Sequence, residues 1–235
     1  MNVNKCSEKV VVDYKTDIKA VKTLETYGFT VIPTKQIKKL YPSVDGHADL
    51  QLAKVGKDII VCAENYAYYK DKISENIKRG ASELDEKYPF DIAYNTAVFG
   101  KYAVHYFRFT DSVLRECIKK NFLFEIETKQ GYSKCSICIV SDNAIITEDE
   151  NIIKSLRNTD TDILKIEKGS VKLNGMNYGF FGGATGLYDN KLFVNGELKF
   201  HSDKLKIEEF CKKHQVEIIE LKKGEIYDIG SIMFI

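Results

Sequence analysis

Four two-residue breaks, each set between short apolar runs, recur along the chain at Gly56-Lys57, Gly100-Lys101, Asp142-Asn143 and Asp189-Asn190. Each reads as the tip of a β-hairpin. Leu52-Ala53-Lys54-Val55 precedes the first tip and Asp58-Ile59-Ile60-Val61 follows it, and the other three are flanked alike. The tips lie 44, 42 and 47 residues apart, a period that belongs to repeat architectures and to few others. A helical pattern follows every hairpin, at about 68–78, 111–120, 149–157 and 202–213, with Asp111, Thr147 and Ser202 placed as N-caps. A third strand then closes each unit, as at 121–127, 162–166 and 216–221. The predicted unit is therefore strand, hairpin, strand, helix, strand.

The chain ends supply a fifth unit. Residues 10–14 read as a strand, 17–27 as a helix and 29–32 as a strand, so this unit lacks its first strand, while 229–235 is a strand without a unit. Joined, the two ends complete a set of five ββαβ units and close them into a ring, which removes exposed sheet edges. With only 3 Pro and no linker-like stretch, 1–235 is expected to form a single domain. The formal net charge of +1 argues against general nucleic-acid binding. No apolar run approaches the ~20 residues of a membrane span, and the first residues lack the apolar segment of a signal peptide. A cytoplasmic location follows as the expectation, with the six cysteines as reduced thiols.

Five such units around a pseudo-fivefold axis resemble the pentein, or α/β-propeller, fold of the guanidine-modifying enzymes. That superfamily holds arginine and agmatine deiminases, dimethylarginine hydrolases and amidinotransferases, together with a non-catalytic ribosome anti-association factor. Gly46-His47-Ala48-Asp49 resembles the Gly-His-x-Asp segment of the deiminases. There the histidine is general acid/base and the aspartate grips the guanidinium. Gly131 to Cys135, Gly179 to Gly186 and Asp228-Ile229-Gly230 are similar to hallmarks of an uncharacterised bacterial family assigned to the same fold. The resemblance implies an arginine-like cationic substrate, covalent thiol chemistry, and no metal or organic cofactor. Its non-catalytic members imply the alternative of a ring that binds a ligand, a protein or a ribosomal partner.

If each unit's first strand begins near the axis, one pocket gathers His47 and Asp49, Asp91 to Asn95, Lys134 to Ser136, Gly182 to Thr185, and Asp228 to Gly230. Attack on a guanidinium carbon needs a thiolate, a proton-carrying imidazole and carboxylates against positive charge. Cys135 is the candidate nucleophile, 88 residues after His47 and two units on, the order the resemblance implies. The same resemblance makes Asp228 the acid that assists His47 and Asp49 the substrate anchor. Asn95, Gly182 and Gly183 share the pocket and are expected to contact substrate. A nearby imidazolium would depress the Cys135 pKa. In the enzymes the nucleophile comes near the C-terminus, whereas Gly230-Ser231-Ile232-Met233 carries no cysteine, so the ring is read as circularly permuted.

Structural readings stand beside these. Cys135 is also consistent with an inert buried strand residue, and His47 with a turn imidazole held by Asp45 and Asp49. Cys135 and Cys138 do not make a zinc or redox pair. On a strand, residues three apart face opposite ways, and no second cysteine pair exists. The glycines at 182–186 precede a strand rather than a helix, which favours close packing over phosphate binding. His201 reads as part of a helix cap, and His105 and His214 as scaffold.

Overall fold

The computed structural model describes residues 8–73 and 76–235. Five three-stranded sheets follow one plan, in which the middle strand pairs antiparallel with the first and parallel with the third. In chain order the first unit is Leu52–Val55, Asp58–Val61 and Ile77–Arg79, and the second Ala97–Phe99, Tyr102–His105 and Phe124–Glu127. The third is Cys138–Ser141, Ala144–Thr147 and Asp162–Lys165, and the fourth Thr185–Tyr188, Lys191–Val194 and Glu217–Glu220. The fifth draws on both ends of the chain. Lys9–Val12 lies between Thr30–Pro33, in parallel, and Met233–Phe234, antiparallel, with Val10 opposite Phe234 and Val11 opposite Met233.

The units touch in sequence around a closed ring. Helix Ser112–Lys120 of the second unit packs on the first two strands of the first, and the turn Ser133–Ser136 packs on strand Ala97–Phe99. Strand Thr185–Tyr188 lies against Cys138–Ser141 on one side and Met233–Phe234 on the other. Lys54 Nζ closes the circle by donating to the Phe234 carbonyl at 3.2 Å. All five first strands, through Lys54, Val98, Ile139, Leu187 and Met233, line one axial cavity of about 670 Å³. This is the pentein architecture.

The longer helices form because they carry apolar residues three or four apart on one face and bury them. Leu114, Cys117 and Ile118 do so in Ser112–Lys120, and Ile207, Phe210 and Cys211 in Lys204–Lys213. Asp17 and Asp111 cap their helices through side-chain oxygens, accepting from Lys19 N and from Val113 N and Leu114 N. The third-unit cap is Asp149 rather than Thr147, whose hydroxyl instead accepts from Asp149 N. The N-cap position of the fourth-unit helix is Asp203 rather than Ser202, without a side-chain capping bond, and Asp203 N donates to His201 Nδ1 at 3.0 Å. At Asp189 and Asn190 both central residues have positive φ (47° and 55°), the I′ geometry that matches strand twist.

Three expectations change. The first-unit helix is only Tyr66–Lys70, because Asn76 and Ile77 are already drawn to Ile59 by the parallel ladder; residues 74–75 of the predicted 68–78 helix lie outside the described residues. His47 and Cys135 do not open strands. Each sits at a one-turn helix, Ala48–Gln51 or Ser133–Ser136, which leads into the first strand. The closing strand is confined to Met233–Phe234, and an unforeseen two-stranded sheet pairs Val171–Lys172 with Ile226–Tyr227. Cysteines 62, 117, 135, 138 and 211 are free thiols, and Cys6 lies outside the described residues. Among the described residues no helix is long and apolar enough to cross a membrane.

Aromatic rings knit the fourth unit to the fifth. Phe234 packs on Phe29, Tyr188 and Phe193 at centroid distances of 4.8, 5.2 and 5.2 Å. If the closing strand is integral to one cooperative core, Phe234→Ala will lower the unfolding free energy by about 3–5 kcal/mol in urea titration. A loss below about 0.5 kcal/mol would mean that the strand frays independently.

Candidate active site

The hub is built by backbone contacts between units that are remote in sequence. Asp49 N donates to Gly230 O at 3.0 Å, and Ile229 N and Ser231 N both donate to Gly183 O, at 3.0 and 2.7 Å. Lys172 O accepts from Asp228 N at 2.9 Å, so the small extra sheet fixes the Asp228 segment. Gly230 has a φ of 64°, and a Cβ there would lie 2.3 Å from His47 Cβ. The chain can pass over the imidazole only with glycine at this place.

These contacts bring His47, Asp49 and Cys135 together. An imidazole nitrogen, a carboxylate oxygen and Sγ all lie within 4.8 Å of one another. The thiol donates to Asp49 Oδ2 at 3.1 Å, and His47 Nδ1 lies 3.9 Å from Asp228 Oδ1. Asp228 is itself held by Gly230 N and Phe180 N, both at 2.9 Å. All four groups are buried.

The three remaining site residues found in the sequence lie against this cluster. Asn95 Oδ1 accepts from Lys134 N at 2.8 Å and from Cys135 N at 3.3 Å, while its Nδ2 donates to Cys135 Sγ and to Asp49 O, each at 3.3 Å. Its amide is thus fully engaged in tying Cys135 to Asp49. A Cβ at Gly182 would meet Cys135 O at 2.5 Å, and one at Gly183 would meet Asp228 Oδ1 at 2.1 Å. Both glycines allow close approach of the thiol and carboxylate segments.

Sequence reasoning missed two partners. Ser231 Oγ donates to Asp49 Oδ2 at 2.6 Å and accepts from Lys134 Nζ at 3.1 Å. Its φ of 67° is uncommon for a side-chain-bearing residue, but only the closed ring shows what the strain serves. Tyr132 donates to Asp91 Oδ2, and the Tyr132 ring lies 6.5 Å from that of Phe180. Asp91 was legible as a hub position, but its tyrosine partner was not.

The electrostatics run opposite to the expected thiol activation. Burial pushes the Cys135 pKa well above the ordinary thiol value, and the charges of Asp49 and Asp228 push it further. Burial also raises Asp228 and Asp91; His47 opposes the shift at Asp228. Burial and the two carboxylates therefore favour the thiol form of Cys135 in the free chain, and positive charge placed beside them would lower its pKa. Asp49 Oδ1 is buried with no hydrogen-bond partner among the described residues, an acceptor left open in the centre of the site. One nitrogen, one thiolate and one carboxylate are also donor types that zinc takes, so the trio could hold a divalent ion.

A cavity of about 640 Å³ reaches the cluster from one side, with His47, Asp228, Asp13, Asn195, Tyr227 and Lys222 in its wall. Cys135, 3% exposed, lies behind that wall. The scaffold histidines are elsewhere. His105 is buried between Thr110 Oγ1 and Gly131 O, its pKa lowered by burial to about 4, and His214 pairs with Asp162 at 2.7 Å.

A family model described as a family of unknown function, DUF6873, matches residues 11–233. The chain belongs to DUF6873. No curated protein matches it in sequence. Among solved structures it is similar to a variant of DDAH from Pseudomonas aeruginosa complexed with citrulline, at TM-score 0.55 and 10% identity over 91% of each chain. Agmatine deiminase from C. jejuni matches at TM-score 0.55 and 10% identity, over 92% of this chain and 88% of that one. The amidinotransferase SxtG from Microseira wollei, of the saxitoxin biosynthetic pathway, matches at TM-score 0.52 and 12% identity, over 91% and 88%. At such identities the likeness gives this DUF6873 chain the pentein fold of the guanidine-modifying enzymes and no more.

Two measurements test the electrostatics. Asp49→Asn removes a charge that raises the Cys135 pKa, so the pH midpoint of iodoacetamide alkylation at Cys135 will fall; an unmoved or higher midpoint would contradict the assignment. Glu148, beside Phe181 N at 3.2 Å, is pushed from an ordinary 4.5 up to about 7 by burial. Its protonated form is the one the fold favours, so the contribution of Glu148 to stability is full below pH 4.5 and declines as pH rises through 7, by about 3 kcal/mol in all. Glu148→Gln will flatten that decline and be more stable than the parent at pH 8 in urea titration.

Proposed function

We propose that this protein is a thiol enzyme of the guanidine-modifying type, acting on an arginine-like small cation, with Cys135 as nucleophile, His47 as proton carrier, Asp228 as its orienting acid and Asp49 as substrate anchor. The observation that carries the reading is the meeting of Cys135 Sγ, a His47 nitrogen and an Asp49 oxygen within 4.8 Å, beside Asp49 Oδ1, which has no hydrogen-bond partner among the described residues. Asn95, Gly182 and Gly183 take positioning roles here, holding Cys135 and Asp228 rather than touching substrate.

A guanidinium entering beside Asp49 supplies N–H donors to the open carboxylate oxygen. Its positive charge cancels the carboxylate field that holds the thiol protonated, so bound substrate lowers the Cys135 pKa. The thiol proton passes to His47, and Asp228 steadies the imidazolium that results. Sγ then bonds to the guanidinium carbon. His47 returns the proton to the departing nitrogen as the C–N bond breaks, leaving a positively charged thiouronium on Cys135. A second nucleophile, water in a hydrolase or an amine in a transferase, gives a proton to His47 as it adds to that carbon; the thiol is expelled, and hydrolysis releases one proton to solvent while transfer returns it to the sulfur.

A second reading, a non-catalytic ring that binds a ligand, a protein or a ribosomal partner, is favoured by one observation: Cys135 lies behind the cavity wall rather than on it.

Chloroacetamidine separates the two. On the catalytic reading, intact-mass analysis will show one adduct on the folded chain, formed at least about tenfold faster than with neutral chloroacetamide. Cys135→Ser will abolish the adduct, and His47→Ala will slow turnover of the best substrate by about 10²–10⁴. Assays of ammonia, amine and ureido release from arginine, methylated arginines and agmatine will name that substrate. Labelling that survives in Cys135→Ser, or that needs an unfolded chain, would leave the binding reading in its place.

A further inference from the structure

Asp49 presents its two carboxylate oxygens unequally. Oδ2 takes two donors, the Cys135 thiol at 3.1 Å and the Ser231 hydroxyl at 2.6 Å. Oδ1 is buried and has no hydrogen-bond partner among the described residues. Two donors fill the lone pairs of Oδ2 and leave those of Oδ1 open. An aspartate does not enforce that division by itself, because its terminal torsion is broad and the carboxylate turns easily. The orientation is imposed by what Oδ2 is bonded to.

Ser231 is placed to impose it. The residue is fully buried, and its φ of 67° lies in the left-handed region, where glycine would sit without strain. Glycine would also keep the bond from the backbone nitrogen of this residue to Gly183 O, at 2.7 Å, which needs no side chain. What the serine adds is its hydroxyl. That group has one proton and two acceptors within reach, Asp49 Oδ2 at 2.6 Å and Gly182 O at 3.2 Å. Lys134 Nζ donates to the same Ser231 oxygen at 3.1 Å, from the wall of the axial cavity. An ammonium on its oxygen makes the hydroxyl a stronger donor, and a carboxylate takes such a proton in preference to a peptide carbonyl. The bonds run from Lys134 through Ser231 and Asp49 and return to Cys135, the residue next to Lys134 in the chain.

We propose that Ser231 and Lys134 are positioning residues of the thiol site: the Lys134 ammonium directs the Ser231 hydroxyl onto Asp49 Oδ2, which fixes the carboxylate with Oδ2 on the Cys135 thiol and Oδ1 free for the incoming cation. The inference rests on the reading of Asp49 as substrate anchor. Neither residue touches substrate; both act through Asp49.

The first measurement needs no turnover: the pH profile of Cys135 alkylation by neutral iodoacetamide in the intact chain. Ser231→Gly removes a donor that offsets the Asp49 charge, so the thiol holds its proton more tightly and the alkylation midpoint will rise by about half a unit or more. Lys134→Met will raise it too, and Lys134→Arg, which keeps a donating cation, will stay nearer the parent. The double variant will rise no further than Ser231→Gly alone, because Lys134 acts through the hydroxyl. His47, Asp228 and Tyr132 also act on Cys135 and are the same in every variant. Should Ser231→Gly not fold, Lys134→Met against Lys134→Arg decides in its place. The second measurement is the rate of chloroacetamidine labelling relative to chloroacetamide. Ser231→Gly will lower that ratio at least about threefold, and will not lower it further in an Asp49→Asn background. A parent without the preference would end the anchor reading and leave the midpoints to decide the relay. An unmoved midpoint in Ser231→Gly, or shifts from Ser231→Gly and Lys134→Met that simply add, would overturn the proposal.

Discussion

Ladder pairing between Lys9–Val12 and Met233–Phe234 is the contact on which the molecule turns. It completes the fifth sheet, and it also carries the preceding segment, Asp228 to Ser231, across the hub onto His47 and Asp49. Every contact that organises the cluster from that side depends on the chain arriving there: Gly230 O on Asp49 N, Ser231 Oγ on the Asp49 carboxylate, Asp228 behind the imidazole. Without the pairing, the other four units would still form hairpins and helices, because those are local. The hub would lose one of its five sides.

What the hub then holds is an unusual concentration of buried negative charge. Asp13, Asp49, Asp91, Glu148 and Asp228 are all buried, and among the described residues no lysine or arginine lies within ion-pair distance of any of them. Hydrogen bonds from Gly230, Phe180, Phe181 and Ser231 meet part of the cost, and raised pKa values at Asp13, Asp91, Glu148 and Asp228 express the rest. A core that accepts such a cost gains only when something positive arrives. The raised Cys135 thiol is the other face of the same fact: the carboxylates that would attract a cation also favour the protonated form of this thiol.

The ring was legible in the sequence because its unit is local and repeats. Hairpin tips and amphipathic helices are written in neighbouring residues, and the unmatched strands at the two ends followed by elimination. The convergence of His47, Asp49, Cys135 and Asp228 followed from the ring, since each precedes a first strand by a similar distance. What local pattern could not carry was the direction of the thiol pKa, which depends on two carboxylates 86 or more residues away. Nor could it show that Asn95 would spend its whole amide between units, or that Ser231 would accept positive φ to reach Asp49. The small sheet of Val171–Lys172 and Ile226–Tyr227 escaped because two-residue strands leave no periodicity to read.

Placing the seam of the ring inside one sheet has a consequence for biosynthesis. The partner of Val11 is Met233, which leaves the ribosome only after the other four units have been made. At elongation rates of roughly 5–20 residues per second, the edge of Lys9–Val12 waits roughly 10–45 s for its neighbour. Throughout that interval a row of apolar backbone, Val10 to Val12, is open to pairing with any other strand. The nascent chain also cannot set Asp228 behind His47, so it carries the cysteine without the arrangement around it. Reactivity, if this thiol has it, is withheld until translation of the ring is complete.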